Sequence, residues 1–138
     1  MSRILVAVSS LYAAQKNVET VCDLARRLSA ETLVLHVSRP SGGPMREQEQ
    51  QEGEAAIRFL REGLQSRGLA VQDLLMFSDD IARAILNTAV EREATLIVLG
   101  LTGKNVFARL LAGNVPVELI RQTKVPVLIL PPDWHRTV

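Results

Sequence analysis

Cysteine, histidine and long apolar runs are scarce in this sequence of 138 residues. A single cysteine cannot form an internal disulfide, so the chain is not a disulfide scaffold. Two histidines and one cysteine supply few of the ligands that zinc sites use. The longest apolar runs hold about five residues, whereas a membrane-spanning helix needs roughly 20. We therefore expect no disulfide, no metal centre and no membrane insertion.

An excess of charge of one sign is also missing. Sixteen Lys and Arg oppose fifteen Asp and Glu, which leaves a net charge of +1 and argues against a nucleic-acid-binding domain. The length fits a single domain over residues 1–138 that is large enough to bury its own core. Because the chain enters an apolar run at Ile4 without a signal-peptide pattern, we expect it to be cytoplasmic.

Apolar runs alternate with stretches of helical spacing along the chain. Short, branched apolar runs are typical of strands that are buried on both faces; they cover residues 4–8, 32–37, 96–99 and 125–130. Residues 71–77 form a weaker strand candidate, because Gln72 and Asp73 interrupt its apolar character. Helical periodicity occurs near residues 18–28, 45–67 and 81–89, and again after Pro116. Asp79 or Asp80 is placed to cap the third of these helices. The alternation predicts an α/β fold, a doubly wound five-stranded parallel sheet with helices on both faces.

In such a sheet, ligands bind beyond the carboxyl ends of the strands. The segment after the fourth strand contains Gly100, Gly103 and Gly113, and Gly113 is followed by Asn114. Glycines after a strand let backbone N–H groups approach an anion, and the helix that follows favours a phosphate. The segment is neither a Walker P-loop nor a dinucleotide fingerprint. Two interpretations remain open here, an anion site or glycines that serve only turn geometry.

This Gly-x2-Gly-x9-Gly-Asn arrangement resembles the universal stress protein family. The run Ile4-Leu5-Val6-Ala7-Val8 and the sequence Leu35-His36-Val37 are similar to that family as well, and the resemblance covers essentially the whole chain. It implies the strand order 3-2-1-4-5 and the binding of an adenine nucleotide, ATP first among them, by a stress-linked sensor or regulatory module. It also implies a homodimer built on the last strand, from Val125 to Leu130.

The resemblance also implies which residues form the site. The positions that match are Val8, Ser9, Val37, Gly100, Gly103, Lys104, Gly113, Asn114 and Val115. The chain departs from the family at Ser9, where aspartate is usual, and at Asn114, where serine or threonine is usual. Serine brings no carboxylate for a ribose or a metal, so the sequence leaves a role for Mg²⁺ open. No side chain is evident to position a water, and we expect at most slow ATP hydrolysis.

Two other functions compete with ATP binding. The domain is a nucleotide-independent dimeric interaction module if Ser9 marks a lost site. Alternatively, the ligand is AMP, a cyclic nucleotide or a signalling dinucleotide. Outside the glycine segment, we interpret His36 as a core histidine and Cys22 as a small buried hydrophobe.

Overall fold

The computed structural model describes residues 1–40, 44–101 and 115–138. Within them, strands and helices alternate as the sequence predicts. In chain order they are β1 (Arg3–Ala7), α1 (Leu11–Arg27), β2 (Glu31–Ser38), α2 (Pro44–Ser66), β3 (Val71–Phe77), α3 (Ile81–Glu91), β4 (Leu96–Gly100), α4 (Val115–Gln122) and β5 (Val127–Leu130). The strands form one sheet in the order β3-β2-β1-β4-β5, and each neighbouring pair is parallel. The α/β fold and the strand order 3-2-1-4-5 are thereby confirmed.

The sheet separates two hydrophobic cores. Alternate residues of β1 point to opposite faces: Ile4 and Val6 lie in a first core with α1 and α2, whereas Leu5 and Ala7 lie in a second core with α3 and α4. An unbroken apolar run is therefore what a central strand needs, because both of its faces are buried. Cys22 of α1 is buried in the first core, and desolvation raises the pKa of its thiol.

Two helices begin at side-chain caps. The Ser10 hydroxyl accepts a hydrogen bond from the Ala13 amide at 3.1 Å, and Asp80 Oδ1 accepts one from the Arg83 amide at 3.1 Å. Each cap satisfies an amide that has no carbonyl partner in the first turn of its helix. Of the two aspartates considered from the sequence, Asp80 is the N-cap residue of α3.

Four strands, β1, β2, β4 and β5, begin or end one or two residues away from the predicted runs. The last strand begins at Val127 rather than Val125, because the Thr123 hydroxyl bonds both the amide and the carbonyl of Val125 and holds a turn there. Pro126 follows this turn and has no N–H for a ladder. At the other end of the chain, β1 stops at Ala7, one residue before Val8.

A C-terminal segment, residues 131–138, lies along α1. Its Asp133 accepts a hydrogen bond from the Tyr12 hydroxyl at 3.0 Å, and its Trp134 packs against the first core. Further along α1, Thr20 donates to the carbonyl of Arg136, and Arg27 donates to the backbone oxygen of Val138. The segment is therefore anchored at both ends of α1. In the described residues, no helix is long and apolar enough to cross a membrane.

Candidate functional site

The candidate site lies at the carboxyl end of β1, between β2 and β4. The connections of the sheet diverge at this central strand, since β2 lies on one side of β1 and β4 on the other. Ligands of open parallel sheets bind at this kind of switch point. Val8, Val37 and Gly100 lie at the adjacent strand ends, Ser9 follows Val8, and Val115 begins α4. Gly103, Lys104, Gly113 and Asn114 lie outside the described residues.

The two valines of the site can offer only their backbone. Val8 and Val37 are each 6% exposed, and their side chains belong to opposite cores, Val8 to the first and Val37 to the second. Their side chains are therefore committed to the cores. Ser9, in contrast, is exposed beyond the end of β1. Any ligand at this position would contact main-chain groups of β1 and β2 together with the hydroxyl of Ser9.

β1 separates from both of its neighbours at Val8. The ladder with β2 extends to the bond in which the Val8 amide donates to the Leu35 carbonyl at 3.0 Å. The next bonds of continuing parallel ladders would join Val37 N to Val8 O and Ser9 N to Gly100 O. Neither bond forms in the part of the chain that the structure describes. The strand ends therefore leave two N–H donors, those of Ser9 and Val37, beside the end of β1.

The N-terminus of α1, which follows the site directly, already holds an acidic side chain. Glu52 of α2 accepts a hydrogen bond from the Leu11 amide at 3.2 Å, and Ser10 caps the same turn. A carboxylate at this place is stabilised by the partial positive charge of the helix N-terminus and would repel a phosphate. The first turn of α4, which begins at Val115, also carries an acidic residue, Glu118, but its carboxylate contacts Arg121 at 3.6 Å and Gln122 at 2.8 Å, later in the same helix.

Position 100 requires a glycine because Asn17 of α1 lies against it. A Cβ atom on Gly100 would lie 1.9 Å from Oδ1 of Asn17, and Asn17 is only 4% exposed. The amide of Asn17 thus fills the space that any larger residue at position 100 would take. The structure assigns Gly100 a packing role here, in addition to the ligand role that the sequence predicts for it.

Sequence reasoning missed two polar residues next to the site. Asn17 falls on the buried stripe of α1, four residues after Ala13 and four before Val21, and a polar residue in such a stripe was the available signal. Glu52 gave no signal, because the residue it contacts, Leu11, is 41 positions away in the sequence.

Away from the switch point, the described residues hold no metal cluster, and a cleft that they form lies at the other end of the sheet. No group of three His, Cys, Asp or Glu is arranged there to hold a metal ion. A cleft of about 200 Å³ lies between α3 and α4, with Thr123 and Val125 in its lining. This cleft lies next to the turn that precedes β5, so it is at the amino end of the sheet and away from the switch point.

Comparison with known proteins places the chain in a family. The family model described as "Universal stress protein family" matches residues 1–131. The chain belongs to the universal stress protein family. The C-terminal segment lies almost wholly beyond the matched residues.

Individual universal stress proteins are similar at lower identity. The universal stress protein MJ0531 of Methanocaldococcus jannaschii is 30% identical over 80 residues, which is 58% of this chain and 46% of that protein. The alignment thus spans less than half the length of that curated relative. A universal stress protein from Archaeoglobus fulgidus, solved in complex with dAMP, is 21% identical, with a TM-score of 0.71 over 94% of this chain and 97% of that one. A family protein from Arabidopsis thaliana, solved with AMP bound, is 15% identical, with a TM-score of 0.67 over 96% of this chain and 92% of that one. These two likenesses establish a shared fold.

Proposed function

We propose that this universal stress protein binds an adenine nucleotide at the switch point beside β1, with ATP as the first candidate. The observation that carries the proposal is the separation of β1 from β2 and β4 at Val8, which leaves the amides of Ser9 and Val37 without ladder acceptors. Backbone donors that face one crevice suit a ligand with acceptor atoms, such as the ring nitrogens of a purine. The two similar folds that were solved with dAMP and AMP support the same ligand class.

The Glu52 carboxylate bears on where the phosphates of such a nucleotide would lie, at the start of α1 or at the start of α4. The Glu52 carboxylate at the Leu11 amide disfavours a phosphate at the start of α1. The segment that leads into α4 is the alternative, since it carries Gly113 and Asn114 just before Val115 and ends at a helix N-terminus. Lys104 belongs to the same segment and is a candidate to pair with phosphate oxygens.

The nucleotide would act as a regulatory ligand and not as a substrate. A ligand shifts a protein between conformations or assemblies only through its different affinities for them. We propose that bound nucleotide favours one assembly of this chain in a stress response, with at most slow hydrolysis and with Mg²⁺ dependence to be measured. A cytoplasmic location stays a prediction.

The assembly we propose is a homodimer through β5. This strand is at one edge of the sheet, and its residues Val127 and Ile129 are half-buried. The neighbouring helix α4 also exposes apolar side chains, Val117 at 41% and Ile120 at 57%. An apolar edge strand pairs readily with another chain. This surface also favours the second candidate function, a dimeric interaction module that binds no nucleotide.

A glycine substitution tests the proposed function. Gly113→Val adds a branched side chain where we place the phosphates, and we expect it to weaken ATP binding by at least about tenfold in calorimetric titrations. Val90→Thr, at an exposed position of α3 away from the proposed site and outside β5, is the matched control and should leave the affinity within about twofold. Equal affinities for wild type and Gly113→Val would contradict the phosphate site, and no binding by the wild type would favour the interaction module.

A further inference from the structure

The imidazole of His36 makes one hydrogen bond among the described residues, and this bond is to the end of β1. The imidazole is 2% exposed, and its Nδ1 lies 2.8 Å from the carbonyl oxygen of Val8. Because a carbonyl oxygen can only accept, Nδ1 carries the proton of this bond. The other ring nitrogen, Nε2, is buried and has no partner in the described residues.

The position of the imidazole is fixed by α2. Gly53 of this helix lies so close to the ring that a Cβ atom on it would stand 2.1 Å from Cδ2 and 2.2 Å from Nε2 of His36. A ring held this tightly presents Nδ1 to Val8 in one orientation. A buried nitrogen without a partner lowers stability, and an apolar residue at position 36 would avoid that cost. The hydrogen bond from Nδ1 to the Val8 carbonyl offsets the cost of the unpaired Nε2 and is a reason for a histidine at this position.

This bond takes the place of a ladder bond. Every second residue along β1 bonds to β2, and the series includes the residue on each side of the strand. It begins at the Ser2 carbonyl, which accepts from the Glu31 amide, and ends at the Val8 amide, which donates to the Leu35 carbonyl. The next acceptor in this series is the Val8 carbonyl, and its ladder donor would be the Val37 amide. This carbonyl bonds the His36 imidazole, and no bond from the Val37 amide reaches it in the described residues. Because a carbonyl oxygen has two lone pairs, it is the direction of the carbonyl toward the imidazole, and not a lack of acceptor capacity, that separates it from the Val37 amide.

The same bond orients the peptide that follows. The described residues contain no cis peptide bond, so the Val8 carbonyl and the Ser9 amide point in opposite directions across one planar unit. Since the Val8 carbonyl is directed to the His36 imidazole, which lies against α2, the Ser9 amide points away from the imidazole and from α2. One imidazole thus affects both backbone donors at the switch point: it sets the direction of the Ser9 amide and bonds the ladder acceptor of the Val37 amide.

We propose that His36 is a positioning residue of the nucleotide site: by capping the Val8 carbonyl it keeps the amides of Val37 and Ser9 available to the ligand. This inference rests on the proposed function and deepens it, because it assigns the base-facing donors to the backbone and their orientation to a buried side chain. His36 itself does not touch the ligand.

Two substitutions separate positioning from packing. His36→Phe keeps the ring and removes the donor, whereas His36→Asn keeps an N–H donor close to the place of Nδ1. We expect His36→Phe to weaken ATP binding by about tenfold and His36→Asn to retain most of the affinity. Cys22→Ala is the matched control: it perturbs the same core without altering a hydrogen bond of β1 or β2, and should leave the affinity unchanged. Circular dichroism at the titration temperature establishes that each variant is folded.

Amide hydrogen exchange without ligand provides the second readout. If His36 keeps the ladder open, the Val37 amide bonds the freed Val8 carbonyl in His36→Phe, and its exchange slows by about tenfold relative to wild type. A side chain that only packs would leave this exchange unchanged or make it faster. Unchanged or faster exchange at Val37 overturns the inference, and so does wild-type ATP affinity in folded His36→Phe. If the wild type binds no adenine nucleotide, the proposed function fails, while the exchange at Val37 still decides whether His36 holds the ladder open.

Discussion

At the residue scale, two glycines next to the site leave room for a buried polar side chain of another element. Gly100 has no side chain because Asn17 of α1 takes its place, and Gly53 has none because the ring of His36 lies against it. In both pairs a polar side chain is buried next to a glycine, at the carboxyl end of a strand. The glycines therefore serve packing that shapes the site, whatever else the glycine-rich segment does.

The contact between Gly100 and Asn17 predicts strong coupling between these positions. Gly100→Ala forces a Cβ atom onto the Asn17 amide, which is buried and has little room to move, and we expect a loss of about 1–3 kcal/mol in the free energy of unfolding. Asn17→Ala opens that space, so the double variant should be more stable than the sum of the single losses predicts. Urea unfolding of the four proteins in the cycle measures this coupling. Strictly additive losses would show that the two residues do not compete for space.

At the element scale, the sequence predicts what local pattern determines and misses what distant contacts determine. The apolar run of β1 identifies a central strand because its residues alternate between two cores. The polar residue Asp73 weakened the prediction of β3. The structure explains why an aspartate lies in this edge strand: its carboxylate is 2.6 Å from the guanidinium of Arg61 in α2. Local periodicity carries no information about such a partner.

The candidate site divides in the same way. The strand ends at Val8 and Val37 follow from the apolar runs, because a parallel sheet brings its carboxyl ends to one edge. The Glu52 carboxylate at the start of α1 depends on how two helices pack, and no spacing in the sequence indicates it. The imidazole of His36 was correctly interpreted as buried, but its bond to Val8 depends on where the ladder ends.

The C-terminal segment gives the element-scale prediction. Tyr12 is the chain's one tyrosine, and its hydrogen bond to Asp133 is the main cause that raises the pKa of the Tyr12 hydroxyl, with desolvation and the charge of Asp133 adding to it. Because folding raises this pKa, the contact stabilises the folded protein at every pH below the ordinary tyrosine pKa of about 10. This stabilisation is lost as the pH rises through the raised pKa of the folded protein.

The absorbance of tyrosinate near 295 nm measures this shift directly, because it arises from one residue. We expect Tyr12 to titrate at higher pH in the native wild type than in Asp133→Ala, which removes the acceptor, or in the unfolded chain. Asp23→Ala, which breaks an ion pair elsewhere on α1, is the control and should titrate like wild type. An identical titration in Asp133→Ala would mean that the segment is not held at Tyr12 in solution.

At the scale of the whole molecule, the sheet keeps the proposed nucleotide site and the proposed dimer surface apart. The proposed nucleotide site is at the carboxyl end of the central strand, whereas the proposed dimer surface is at the β5 edge. In β5, the carbonyls of Pro126 and Leu130 accept bonds from β4, so the N–H and C=O of Ile129 point to the open edge. β4 and the glycine-rich segment after it connect the two surfaces along the chain.

This geometry provides a sharp test of the dimer. Ile129→Pro removes an outward N–H and leaves the bonds to β4 intact, whereas Ile129→Thr keeps the N–H and serves as the matched control. In size-exclusion chromatography with light scattering at micromolar concentration, we expect wild type and Ile129→Thr to be dimers and Ile129→Pro to be a monomer. A monomeric wild type, or a dimer that Ile129→Pro leaves intact, would contradict pairing through β5.

Native mass spectrometry of the freshly purified protein, before and after addition of millimolar Mg-ATP, decides whether the switch point beside β1 holds an adenine nucleotide. We expect added mass that corresponds to one adenine nucleotide per chain, reduced in Gly113→Val. A protein that carries no added mass, both as purified and with millimolar Mg-ATP, would show that this domain does not bind the nucleotide.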